Sequence, residues 1–256
     1  MCTLIVLYKV YQDYPQVVGM NRDELISRKA MAPGAIEGEL PIYAPLDTKE
    51  GGTWIGVNQA GLVVAILNRL SEAEWVVNSP RSRGLICLDA LKEKSADSAL
   101  AMVRQEIGRH LYNKFALLCM DTQHAFVAKY DGHDSLSSEE LEPGVHVLVN
   151  YGPEENAPTE SLRRAKERSE RRQRKAMGVL RHLPAGAREA IGELIDLFHD
   201  HQEGVCQHGV EFGTTSSTII ALGMEPVFLY ADGSPCTSNY EDYSHLLKAI
   251  KVAQQN

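Results

Sequence analysis

Apolar residues in this 256-residue chain fall in short blocks divided by Gly, Pro, Asn and Asp, and longer stretches at helical spacing interrupt them twice. Residues 2–9 and 16–20 are predicted as strands joined through Asp13-Tyr14-Pro15, because Pro and Asp favour turns. The polar run Asn21-Arg22-Asp23-Glu24 closes the second strand. Residues 30–50 hold Pro33, Gly34, Pro41 and Pro45 and are expected to form a long loop with one short strand at 41–45; such connections are more often functional than idle. Residues 51–58 and 61–68 predict a hairpin around Asn58-Gln59-Ala60-Gly61. Its second arm is nearly all apolar, which implies burial on both faces and layers above and below the sheet.

Ser79-Pro80 suits a helix start, with Ser as N-cap and Pro in the first turn, and Leu85 to Leu91 continue it. A second helix is expected at 96–109, strands at 114–120 and 123–130, a polar loop from Asp131-Gly132 to Pro143-Gly144, and a strand at 145–149 ending at Asn150. Helices are expected at 159–182 and 185–200, a hairpin at 218–230 around Gly223-Met224-Glu225-Pro226, and a short helix at 241–252. Strands grouped apart from helices make the fold class α+β, with a sheet core covered by helices. No linker divides the chain, so residues 1–256 are expected to form a single domain.

Composition narrows the function. The formal net charge is −8, which removes a bulk electrostatic case for nucleic acid. No apolar run reaches the ~18 residues of a membrane span, and no secretory signal is apparent. The five cysteines at 2, 87, 119, 206 and 236 lack C-x-x-C spacing, so no metal site and no cofactor are expected; reduced thiols and a cytoplasmic location are. Cys87, Cys119 and Cys206 read as core thiols. His208 reads as a hydrogen-bonded loop histidine. The basic residues of 159–182, Arg172 among them, read as a solvated helix with internal Glu–Arg pairs. Gly51-Gly52 lets a loop pack closely while Trp54 fills the core.

The chemistry concentrates at Cys2. A small residue after the initiator usually permits removal of Met1, which would give Cys2 both a thiol (pKa ~8.5) and an α-amine (~8), a nucleophile and base in one residue. An amide hydrolase of this kind needs a carboxylate to hold the amine, a side-chain amide for the oxyanion and a further polar group for the substrate. Asp23, Asn68 and Asn150, all at strand ends, supply these types.

The Met-Cys start, Asn21-Arg22-Asp23-Glu24, Gly51-Gly52-Thr53-Trp54-x-Gly56-Val57 and the late Gly213-Thr214-x-Ser216-Ser217-Thr218 together resemble the NRDE family, also called transport-and-Golgi-organisation-2-like. That family is similar to N-terminal nucleophile hydrolases of the choloylglycine hydrolase and penicillin V acylase type. The resemblance implies a four-layer αββα sandwich, with Cys2 as nucleophile, Asp23 orienting its amine, Asn68 in the oxyanion hole and Asn150 near the amine or substrate. Asn21, Arg22, Trp54 and Thr215 are the candidate contacts to a small-molecule substrate or ligand. Met20 stands where the choloylglycine enzymes carry Arg, and Thr215 where NRDE relatives often do. The reading is therefore a cysteine amidohydrolase acting on a linear amide; the alternative is a non-catalytic carrier or trafficking factor for haem or a lipid-like acyl ligand.

Overall fold

A computed structural model describes residues 2–69, 80–151 and 156–250. Ser79, Gly152-Pro153-Glu154 and the end of the expected final helix lie outside them. Two antiparallel sheets form the centre. The first has six strands in the order β10-β1-β2-β11-β12-β13, with β1 Thr3–Tyr8, β2 Gln16–Leu25, β10 Gly144–Val149, β11 Phe212–Leu222, β12 Val227–Asp232 and β13 Glu241–Asp242. The second has seven in chain order, β3 Ala30–Ile36, β4 Ile42–Asp47, β5 Ile55–Asn58, β6 Val63–Asn68, β7 Phe115–Met120, β8 Ala125–Tyr130 and β9 Leu136–Glu140. Helices α1 Arg83–Ala90 and α2 Ala96–Glu106 pack on β6, β7 and β8; α3 Glu160–Leu180 packs on β10 and on α4 Ala187–Phe198. The four layers are αββα.

Alternation along the strands builds two cores. Leu4, Val6, Val18, Met20, Ile220 and Leu222 face the second sheet. Their neighbours Ile5, Leu7, Val17, Ile219 and Ala221 pack against Ala176 and Leu180 of α3 and Leu194, Leu197 and Phe198 of α4. A strand presents side chains to both faces with a period of two, so a strand buried on both sides reads as continuously apolar. Polar cross-ties fix the stack: Gln16 Nε2 donates to Gly61 O and Met120 O, both at 3.1 Å, joining one sheet to the other.

Several boundaries differ from expectation. β2 does not end at Met20 but runs through the polar run to Leu25, because β11 extends beside it to Phe212 and satisfies its backbone. Residues 30–36, expected as loop, pair with β4, and 136–140, also expected as loop, form an exposed edge strand on β8. Edge strands bury little, so polar composition hides them. The first helix starts at Arg83 with Ser82 as N-cap, three residues beyond the expected Pro80. In place of a helix from 241, Glu241–Asp242 adds to β12 and Ser244–Leu247 forms one 3-10 turn.

A Cβ on Gly52 would lie 2.3 Å from the backbone carbon of Gly84 and 2.6 Å from Leu85 N, and Thr53 N donates to Gly84 O at 3.0 Å. Gly52 is thus the point where the loop touches the entry of α1, as the close-packing reading expects. Overpacking against backbone typically costs about 1–3 kcal/mol. Gly52→Ala should lower the thermal midpoint by roughly 2–4 °C for each kcal/mol lost. Gly34→Ala, with nothing within 4 Å of its Cβ, should leave the midpoint nearly unchanged; calorimetry of both variants checks the contrast.

Candidate active site

Cys2 sits one residue before β1. Thr3 is in register with Asn21 on one side and Val149 on the other. One step back, Cys2 lies between Arg22 and Asn150, so the central strand delivers the thiol between two of the sequence candidates. The thiol is 7% exposed, and its Sγ donates to Asp23 O at 3.7 Å. Burial pushes the Cys2 thiol above its usual pKa, against the pull of the Arg22 guanidinium.

The thiol borders a cavity of about 200 Å³ at one end of the sandwich. Arg22, Trp54, Asn68, Arg28 and Asp47 also line it, with the entry of α1 at Ser82-Arg83-Gly84. The Arg22 guanidinium lies 4.3 Å over the Trp54 ring, donates from Nη1 to Thr215 Oγ1 at 3.0 Å, and stands 3.6 Å from Asp47 Oδ1. The cation is held by a π face, a hydroxyl and a carboxylate, which compensates its burial. Arg28 meets Asp47 through two bonds, Nε to Oδ1 at 3.0 Å and Nη2 to Oδ2 at 2.8 Å. Asn150 Nδ2 donates to Asn68 O, tying the ends of β10 and β6 across the two sheets.

Asp23 faces the other way. Alternation turns Met20 and Arg22 to the space between sheets and Asn21 and Asp23 to the helix layer. The Asp23 carboxylate takes a hydrogen bond from Arg172 Nη1 of α3 at 2.9 Å and one from Thr214 Oγ1 at 2.6 Å. The pair's side chains are 1% (Arg172) and 0% (Asp23) exposed. A bulge on β11 makes this possible: Thr214 pairs with Asp23 and Ser216 with Arg22, leaving Thr215 as the extra residue. Its hydroxyl thereby reaches Arg22 while Thr214 reaches Asp23.

Two candidate substrate contacts are displaced from the thiol's cavity. Asn21 donates to Phe198 O at 3.1 Å and Val205 O at 3.0 Å, closing the end of α4 on the sheet; parity puts it on the wrong face for the cavity. Thr215 lines a neighbouring cavity of about 340 Å³ and accepts from Arg22, which lines both cavities. Arg22 and Trp54 do line the cavity with the thiol. Arg172, expected on a solvated helix face, is instead buried at the site. The signal was present: Ala165, Ser169, Arg172, Ala176 and Leu180 recur at helical spacing and form the buried stripe of α3.

Against this geometry, comparison with known proteins is decisive for the family. The family model for Transport and Golgi organisation 2 matches residues 1–227. The chain belongs to the Transport and Golgi organisation 2 family. Curated relatives include the "Transport and Golgi organization protein 2 homolog" of Bos taurus, 28% identical over 82% of each chain. The Homo sapiens homolog is 29% identical over 54% of this chain, a match that spans about half of the human protein. The solved structures it is similar to include three with the N-terminal nucleophile hydrolase fold. Penicillin V acylase from Agrobacterium tumefaciens superposes with a TM-score of 0.61 at 13% identity, covering 98% of this chain and 88% of that one. The Caenorhabditis elegans N-acylethanolamine-hydrolyzing acid amidase ortholog gives 0.59 at 11%, over 86% and 92%. A variant of the conjugated bile acid hydrolase of Clostridium perfringens gives 0.59 at 13%, over 95% and 93%. The chain therefore has the N-terminal nucleophile hydrolase fold, and among its described residues no helix is long and apolar enough to cross a membrane.

Two predictions follow from the ion pairs. Removing one partner of a buried pair leaves an uncompensated charge at a cost of about 3–5 kcal/mol. Arg172→Leu should lower the free energy of unfolding in urea by that amount, and Asp23→Asn with Arg172→Leu together should cost less than the two single losses added. At Asp47, burial alone would raise the carboxyl pKa, but the Arg28 bonds outweigh it and hold the group below its usual range. A depressed folded pKa stabilises above the unfolded value of ~3.9 and is lost as pH falls through the folded value. The acid limb of stability should thus be shallower below about pH 4 in Asp47→Asn than in the wild type, read from urea midpoints against pH.

Proposed function

We propose that this protein hydrolyses a linear amide of a small polar acyl compound, with Cys2 as nucleophile after removal of Met1. The observation that carries the reading is the position of the Cys2 thiol, on the wall of a cavity that Arg22, Trp54 and Asn68 also line, inside an N-terminal nucleophile hydrolase fold. The likeness to amide-hydrolysing enzymes at 11–13% identity supports the fold, and the chemistry rests on the side chains.

Burial keeps the thiol protonated at neutral pH, so attack requires a base at the same place. The freed α-amine of Cys2 is that base, with an ordinary pKa of ~8. It takes the thiol proton as sulfur bonds to the acyl carbon. The carbonyl oxygen becomes an oxyanion, and the Asn68 amide donates to it. Collapse expels the substrate amine, which leaves with the proton held on the α-amine, and a thioester remains. Water then attacks as the α-amine takes its proton; collapse releases the acid, and that proton passes from the α-amine to the Cys2 thiolate, which restores the enzyme. Asn150, bonded to Asn68 O, sets where the Asn68 strand end stands.

A volume of about 200 Å³ is below the ~300–1,000 Å³ common for drug-sized ligands. Its lining is rich in Arg, Asp and Glu. Both features favour a short polar acyl group over haem or a long acyl chain.

Against a panel of short N-acyl amides, Cys2→Ala should abolish turnover. Asn68→Ala should lower kcat by about a hundredfold to a thousandfold, the usual loss for one oxyanion donor, with circular dichroism confirming the fold. Undiminished turnover in either variant contradicts the assignment.

A further inference from the structure

A second constellation lies away from the thiol's cavity. Three side chains from the segment leaving α4, His201, Cys206 and His208, meet Cys236 from the loop after β12, and one ligand atom of each lies within 4.8 Å of the others. Cys206 Sγ is 3.5 Å from Cys236 Sγ and 3.7 Å from His208 Nε2. His208 Nε2 is 3.0 Å from both His201 Nδ1 and Cys236 Sγ.

Hydrogen bonding does not account for this packing. A ring nitrogen carries one proton or one lone pair in its plane and can serve one partner, yet three ligand atoms crowd His208 Nε2. A tetrahedral zinc centre does account for it. With Zn–S of ~2.3 Å and Zn–N of ~2.0–2.1 Å, the edges of the tetrahedron are ~3.8 Å for S–S, ~3.6 Å for S–N and ~3.3 Å for N–N. Four of the six separations fall within about 0.6 Å of those edges, and the other two, from His201 Nδ1 to each sulfur, lie within 4.8 Å.

We propose that His201 Nδ1, Cys206 Sγ, His208 Nε2 and Cys236 Sγ form a tetrahedral Cys2His2 site for a zinc ion. The expectation of no metal site, drawn from the absence of C-x-x-C, overlooked that the fold brings Cys236 beside a ligand cluster far from it in sequence. On binding, the two thiols release two protons to solvent, and two thiolates with Zn²⁺ make a neutral centre. Four protein ligands close the coordination sphere, so the ion is structural.

The site's place in the fold says what it stabilises. Gln207, between two ligands, exchanges bonds with Thr214, N to Oγ1 and O from N, both at 2.8 Å, and Ser234, two residues before Cys236, donates to Thr214 O at 2.8 Å. The ion clamps the two segments that hold Thr214, and Thr214 holds Asp23.

The test uses the full chain, reduced and stripped by chelator, titrated with zinc alone against a competing chromophoric chelator, with cobalt(II) in parallel. One equivalent should bind. The cobalt form should show the intense visible bands of a tetrahedral centre and thiolate charge transfer. Zinc should shield Cys206 and Cys236, but not Cys2, from alkylation. Cys236→Ser should weaken zinc binding by more than about a hundredfold, beyond the loss typical of an outer-shell change. Absence of stoichiometric binding in the wild type, a pale octahedral cobalt spectrum, unshielded Cys206 and Cys236, or undiminished affinity in Cys236→Ser each overturns the proposal. So does a Cys206–Cys236 disulfide that resists reduction and leaves no metal site.

Discussion

A carboxylate inside a protein is tolerable only where its charge is met, because an isolated buried ion costs far more than a fold's net stability. Asp23 sits in the middle of a sheet with its side chain wholly buried, met by the Arg172 guanidinium from α3 and the Thr214 hydroxyl from β11. Those two contacts join a helix and two strands that are distant in sequence. The bulge at Thr215 lies where Thr214 turns to Asp23 and Thr215 turns to Arg22. The carboxylate and the cavity cation are therefore positioned by one irregularity in β11.

From that point the site follows by parity. β2 sends Asp23 to the helix layer and Arg22 between the sheets, and β1, in register with it, brings Cys2 to the same edge. The second sheet contributes Trp54 and Asn68 from across the gap, and Asn150 ties the two sheets at the Asn68 backbone. Five elements thus meet at one end of a sandwich whose middle is filled by aliphatic side chains. The apolar stack holds the end in place, and the polar strand ends line its cavity.

Much of this was legible in the chain. Continuous apolar runs such as Gly61–Asn68 announced strands buried on both faces, and hence helices outside both sheets. Cys2 and Asn68, picked out by residue type, line one cavity, and Asn150 bonds to the Asn68 backbone. What escaped reading did so for physical reasons. Leu136–Glu140 is an exposed edge strand with nothing to bury, so its composition is that of a loop. Residue type alone makes Asn21 a candidate substrate contact, but it says nothing of which face a strand turns to the cavity, and Asn21 faces α4. Arg172 was grouped with its charged neighbours, although its spacing to Ala165, Ser169, Ala176 and Leu180 marks the buried face of α3. The meeting of Cys236 with His201, Cys206 and His208 depends on tertiary approach alone and has no local signature.

In the proposed mechanism Cys2 carries a free amine beside a thiol on a cavity wall, unlike Cys87 and Cys119. Cys87 and Cys119 are wholly buried among apolar side chains, where burial drives their thiols far above the ordinary range. Intact mass of the protein from cells with normal methionine processing, before and after brief alkylation at mildly alkaline pH, measures both properties at once. The predicted result is a mass short by one methionine, with Cys2 labelled well ahead of Cys87 and Cys119 in the peptide map. A protein that retains Met1 would lack the base on the nucleophile's own residue and would contradict the mechanism.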